Sequence, residues 1–156
     1  MTLLRSGKGT RFCTVRKNAN HDIATSTNTT LPYQVATNDD WTWWDTGDNT
    51  KIIPDATAEI VWIGMNTQWE GSTGGRREHY FLLNLGAVMG NSRAQVINSM
   101  PGSNLYEVNH WTGPHVMAAP GTDYIQHRVW QNRGANNFIY ANAATWFTVV
   151  SLGRAI

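Results

Sequence analysis

Apolar and polar positions alternate along this chain with a period of two. The clearest case is residues 52–69, IIPDATAEIVWIGMNTQW, where Pro54-Asp55 marks a turn and a strand follows. Ala58, Ile60, Trp62 and Gly64 fall on one face, and Glu59, Val61, Ile63 and Met65 on the other. That spacing is the signature of extended backbone. Both faces turn apolar after Glu59, so the strand is expected to be covered twice, by a second sheet and by a loop or partner subunit.

The same alternation predicts further strands. LPYQVAT opens at Leu31, and REHYFLLNLGAV sets Tyr80, Leu82 and Asn84 against Phe81, Leu83 and Leu85 before a turn at Gly86. SRAQVINSM is a shorter apolar stretch before Pro101-Gly102. VMAAPGTDYIQHRVWQN is interrupted by its own Pro-Gly turn, and ANNFIYANAATWFTVVSL supplies the last pair of extended runs. No window of eleven or more residues carries a helical period, and glycine, proline and asparagine punctuate the strands. The predicted class is all-β, a sandwich or barrel.

The first thirty residues differ. They hold few large apolar side chains, and Arg5, Lys8, Arg11, Arg16 and Lys17 all precede the first acidic residue, Asp22. Residues 1–30 are therefore expected to form an extended basic arm, and 31–156 the folded body. From Leu31 onward seven basic and ten acidic residues leave the body mildly acidic. Five charges interleaved with one aromatic residue, Phe12, make a weak footprint for nucleic acid, so no specific nucleic-acid partner is expected. No run of 18 apolar residues exists, and MTLLRSG lacks the apolar core of a signal peptide, so no membrane partner is expected either.

Composition bears on how the body is held together. A single cysteine, Cys13, excludes an internal disulfide and a cysteine-based zinc cluster. Charged residues are only 15% of the chain, against about 25% in ordinary soluble domains. Eight tryptophans are many for one small core, which points to aromatic residues at subunit contacts.

Candidate chemistry is sparse. Asp39, Asp40, Asp45 and Asp48 lie within ten residues, an oxygen-rich loop that leaves a bound cation open but matches no calcium-loop spacing. His110, His115 and His127, with Glu107 and Asp123, show no spacing that makes them converge, and His127 reads as a satisfied core histidine. No nucleophile elbow or phosphate-binding loop is present. No catalytic residue, metal or cofactor is predicted. Trp41, Trp43 and Trp44 beside Asp45 suggest a surface on which a sugar could stack, the alternative being packing within the protein.

The order of elements resembles the C1q/tumour-necrosis-factor jelly roll, in particular its versions in bacteriophage virion proteins. The residues that carry the likeness are IIPDATAEIVWIGMNTQW, REHYFLLNLGAV, APGTDYIQHRVWQN and the closing TWFTVVSLG, within 31–153. The resemblance implies a ten-strand jelly-roll sandwich assembling as a homotrimer. Trp62, Trp146, Phe147, Val149 and Val150 are then the expected subunit contacts. It further implies a structural, non-enzymatic virion protein on the capsid exterior, a decoration or cement protein held to the major capsid protein by the basic arm. The alternative is a receptor-binding tip module of a head or tail fibre that recognises a host surface glycan through the Trp41 to Asp48 loop, with Trp41, Trp43, Trp44 and Asp45 as its contacts.

Overall fold

The structure, a computed structural model, describes residues 10–71, 75–84, 86–89, 94–97, 105–142 and 144–153. Among these residues twelve strands pair antiparallel in two sheets. Strands β1 (Arg11–Arg16), β2 (His21–Ile23), β4 (Val35–Asn38), β5 (Ile60–Glu70), β9 (Leu105–Val116), β11 (Asn137–Ile139) and β12 (Trp146–Gly153) make the larger sheet. Strands β3 (Thr29–Thr30), β6 (Arg76–Leu83), β7 (Ala87–Val88), β8 (Ala94–Ile97) and β10 (Ile125–Gln131) make the smaller one. Without the two-residue strands β3 and β7 the count is ten.

β5 is the strand round which the larger sheet is laid. β9 pairs along one edge, from Ile60↔Val116 to Glu70↔Leu105, and β12 and then β11 take the other. Its period of two is kept in the structure: Val61, Ile63 and Met65 face the second sheet with no exposure, whereas Trp62 is exposed on the opposite face. The strand begins at Ile60 because the residues before it bond elsewhere: Ile53 donates to the Trp43 carbonyl, the Pro54 carbonyl accepts from Gly121, and residues 55–58 close a turn. Asp55 accepts the amide and hydroxyl of Thr57 at 2.8 and 2.5 Å, and Pro54 has no amide hydrogen to offer a ladder.

The core lies between the sheets. Phe147 and Val149 of β12 and Phe81 of β6 meet there, with Phe81 stacked on Phe147 at 5.6 Å, and Leu31, Tyr33, Trp43 and Ile52 close one side from the connections. At the ends of β6 and β10, Asp123 accepts hydrogen bonds from the Ala119 amide and the Asn84 side chain at 2.7 and 2.6 Å, fixing the Pro-Gly turn before β10.

The basic arm expected over residues 1–30 is corrected by the strand pairing of residues 11–30. β1 lies between β12 and β4, with six residues in register from Arg11↔Ser151 to Arg16↔Trp146, and β2 and β3 pair with β11 and β10. The alternation was present, but its inward residues are Cys13, Val15 and Lys17, a face too small and too polar to read as core. Arg11 is bound to Asp55 at 2.6 Å, and Lys17 is buried, donating to the Pro32 carbonyl at 2.8 Å. Arg16 points outward from the sheet. Arg5 and Lys8 lie outside the described residues.

Candidate functional site: the aromatic face of the larger sheet

The outward face of the larger sheet carries the side chains that its strand period leaves unburied. Register places them in rows. Trp62 of β5 lies beside Val150 of β12, which lies beside Phe12 of β1. In the next row Gly64, Thr148 and Thr14 are neighbours, and the two threonine hydroxyls bond at 2.7 Å. Trp111 of β9 stands opposite Gly64 and lies over it, so that a Cβ at Gly64 would sit 2.6 Å from the indole. The ring reaches Trp146, centroid to centroid 5.7 Å.

Phe12, Trp62 and Trp111 are 38, 41 and 47% exposed, and with half-buried Trp146 and Val150 they form one apolar patch across four adjacent strands. A shallow depression between Phe12, Thr14, Trp111, Trp146 and Val150 marks its middle. A contiguous patch of large aromatic side chains is uncommon on a solitary soluble domain.

Of the predicted subunit contacts, Trp62, Trp146 and Val150 lie on this patch. Phe147 and Val149 do not. They are the alternate residues of β12, fully buried against the second sheet, and a strand with apolar residues on both faces gives one face to the core. Sequence reasoning missed Phe12 and Trp111. Phe12 was hidden in the supposed arm, and the segment that holds Trp111 was assigned to no strand.

The expected sugar platform is taken apart by packing. Trp43 is 1% exposed and donates its indole hydrogen to Asp55 at 3.2 Å, and Trp44 packs on the core. Trp41 is exposed, with the Arg11 guanidinium 5.0 Å from its ring centre. The aspartates tie down loop backbone. Asp39 accepts the Trp43 and Trp44 amides at 2.7 and 3.1 Å, and Asp45 those of Gly47 and Asp48 at 2.9 and 3.1 Å. Asp48 is held below the usual carboxylate range by Lys51 and by Thr50. Among the described residues no three histidine, cysteine or acidic side chains group as metal ligands.

The histidines do not converge as an acid-base site. His127 meets His79, which was not singled out. The Trp69 indole donates to His79 Nε2 at 2.8 Å, His79 Nδ1 lies 3.0 Å from His127 Nε2, and His127 Nδ1 lies 2.6 Å from the Tyr33 hydroxyl. An acceptor at one ring nitrogen requires the proton at the other. The chain therefore runs one way, from Trp69 through His79 and His127 to Tyr33, with both rings neutral. Burial drives the His79 pKa well below its ordinary value, helped by His127, His110 and Arg77, and burial with Lys17 and His110 brings His127 to about 3. These groups are sealed in the core and reach no substrate. His115 sits apart, 3.2 Å from the Thr112 hydroxyl.

Two packed antiparallel sheets with this strand order define a jelly roll of the tumour-necrosis-factor type. No family model and no curated protein matches the sequence. Among solved structures, Eiger TNF from S. frugiperda is similar with a TM-score of 0.57 at 10% identity, covering 96% of both chains. Murine APRIL at pH 8.5 gives 0.52 at 10% identity over 90% of this chain and 99% of that one. Murine APRIL at pH 8.0 gives 0.52 at 11% over 92% and 99%. Likeness at such identity defines the fold.

Proposed function

We propose that this chain is a structural assembly protein that forms a homotrimer through the aromatic face of the larger sheet. The observation that carries the reading is the patch in which exposed Phe12, Trp62 and Trp111 adjoin half-buried Trp146 and Val150 on adjacent strands. A tryptophan that is about 40% exposed leaves on the order of 100 Å² uncovered, worth about 2.5 kcal/mol if fully buried at a contact. Two such rings in each of three copies are enough to drive association of standard-sized interfaces. No catalytic constellation competes with this reading among the described residues.

The setting that the resemblance supports is the exterior of a bacteriophage capsid, where a trimer decorates and reinforces the shell by contact with the major capsid protein. Since residues 11–30 belong to the sandwich, attachment falls to residues 1–9, with Arg5 and Lys8. Three such segments per trimer make individually weak contacts strong together. Deleting residues 1–9 leaves β1 intact and is expected to abolish binding to empty capsids while the oligomer survives. Retained capsid binding would end this account of attachment without touching the trimer. Localisation by imaging labelled virions separates a capsid position from a fibre tip.

A further inference from the structure

The smaller sheet carries, on its outward face, a groove of about 720 Å³ that plays no part in the proposed assembly. Its floor is made where β6 and β10 pair, Tyr80 beside Arg128 and Glu78 beside Trp130, with Asn28 at one side. Leu82 and Val88 give it an apolar end. The volume is that of an ordinary small-molecule site.

Arg128 is the feature that needs an explanation. Among the described residues its side chain makes no hydrogen bond and no ion pair, and its Nε is buried without a partner. The buried Nε is closed to a ligand, but the two Nη groups carry no bond either and keep solvent access, so the fork is free to take one. Its neighbour Arg76 is differently placed, paired with Glu78 and set over the Trp130 ring at 5.8 Å, although its own Nε is also buried and unpartnered. The groove thus holds two guanidinium groups and one carboxylate, a net charge of one. The Tyr80 hydroxyl bonds to Asn28 Oδ1 at 2.5 Å, which sets an acceptor oxygen and an amide at the rim.

We propose that this groove binds an acidic saccharide, a sugar whose ring bears one carboxylate. The planar fork of Arg128 matches a carboxylate in two parallel bonds. Tyr80 and Trp130 offer ring surface to the apolar face of a sugar, and Asn28 with the Tyr80 oxygen suits its hydroxyls. A single net charge is too little for a nucleic-acid backbone, which needs several phosphate contacts. A peptide strand has nothing to pair with, because the backbone groups of β6 and β10 already bond to each other. The groove lies on the sheet opposite the aromatic face, so assembly leaves it open, and one-to-one titration reads it whether or not the chain is a trimer.

The test is titration of the full chain, followed by amide NMR shifts, with 3′-sialyllactose, a glucuronic-acid-terminated disaccharide, lactose and inorganic phosphate. The expected result is saturable binding of one acidic sugar at least about tenfold tighter than lactose or phosphate, with shifts at β6 and β10. Which acid binds distinguishes a sialic from a uronic ligand. Arg128→Gln is expected to weaken that binding at least about tenfold with an unchanged melting temperature, since the side chain holds no bond in the protein. Arg128→Lys keeps charge but loses the fork, and is expected to fall between. Lactose or phosphate binding as well as the acids, no binding of either acid, or Arg128→Lys indistinguishable from wild type would overturn the proposal.

Discussion

Acidification should destabilise this protein through two histidines in its core. His79 and His127 are fully buried, and each accepts a hydrogen bond that requires the neutral ring. In the unfolded chain both titrate near 6.5, whereas in the fold His79 is well below that and His127 is at about 3. Groups whose folded pKa is depressed leave stability untouched above the unfolded value, and remove it as pH falls towards the folded one. Each histidine then costs about 1.4 kcal/mol per pH unit below 6.5. At pH 5 the pair costs about 4 kcal/mol, a large part of the 5–15 kcal/mol typical of a domain. For a chain of this length that is a fall of roughly 8–16 °C in melting temperature between pH 7.5 and pH 5.

Arg77, His110 and Lys17 face the pair and deepen the effect, because each disfavours a second positive charge. Calorimetry across pH 7.5 to 4.5 is the assay, with the double variant His79→Gln/His127→Gln as control. The control should be less stable at neutral pH but lack most of the slope below 6.5. A wild-type melting temperature flat over this window, or a slope equal in the control, would refute the reasoning.

Three further outcomes follow from single residues. Burial lowers the Lys17 pKa to about 8, so its ammonium opposes folding by about 3 kcal/mol at pH 7, fully present below 8 and lost as pH rises to 10.5. Lys17→Met should raise the denaturant midpoint at pH 7, with the gain shrinking towards pH 10.5. Gly64→Ala should displace Trp111 from the sheet, changing its fluorescence and weakening self-association by at least tenfold while the core stays folded. Asp55→Asn should lower stability by about 1–3 kcal/mol in thermal melts, since the Asp55 carboxylate, held below its usual range against partial burial by Thr57, Trp43 and Arg11, ties three segments together.

The strand pattern made much of the fold legible. The period of two in residues 60–69 and 77–83 reports which side chains meet in the core, and the Pro-Gly and Asx turns report where strands stop. β1 escaped because its inward face is Cys13, Val15 and Lys17, and only pairing with β12 and β4 makes that face interior. The surplus of tryptophan led to the expectation of a contact surface, but not to which rings lie outward on the sheet. Trp62 and Trp146 face out because of their parity on β5 and β12. Trp43 and Trp69 bond inward to Asp55 and His79. Trp111 and Arg128 depend on register between strands far apart in sequence, which no local pattern carries.

The measurement that bears most directly on the central claim is the solution mass of the wild-type chain and of Trp62→Ser/Trp111→Ser, by light scattering across a concentration series. The wild type should give three times the 17.4 kDa chain mass and the variant one, with both folded by near-ultraviolet circular dichroism. A wild type that remains a folded monomer at the highest concentration of the series, or a variant that trimerises undiminished, would contradict assembly through the aromatic face.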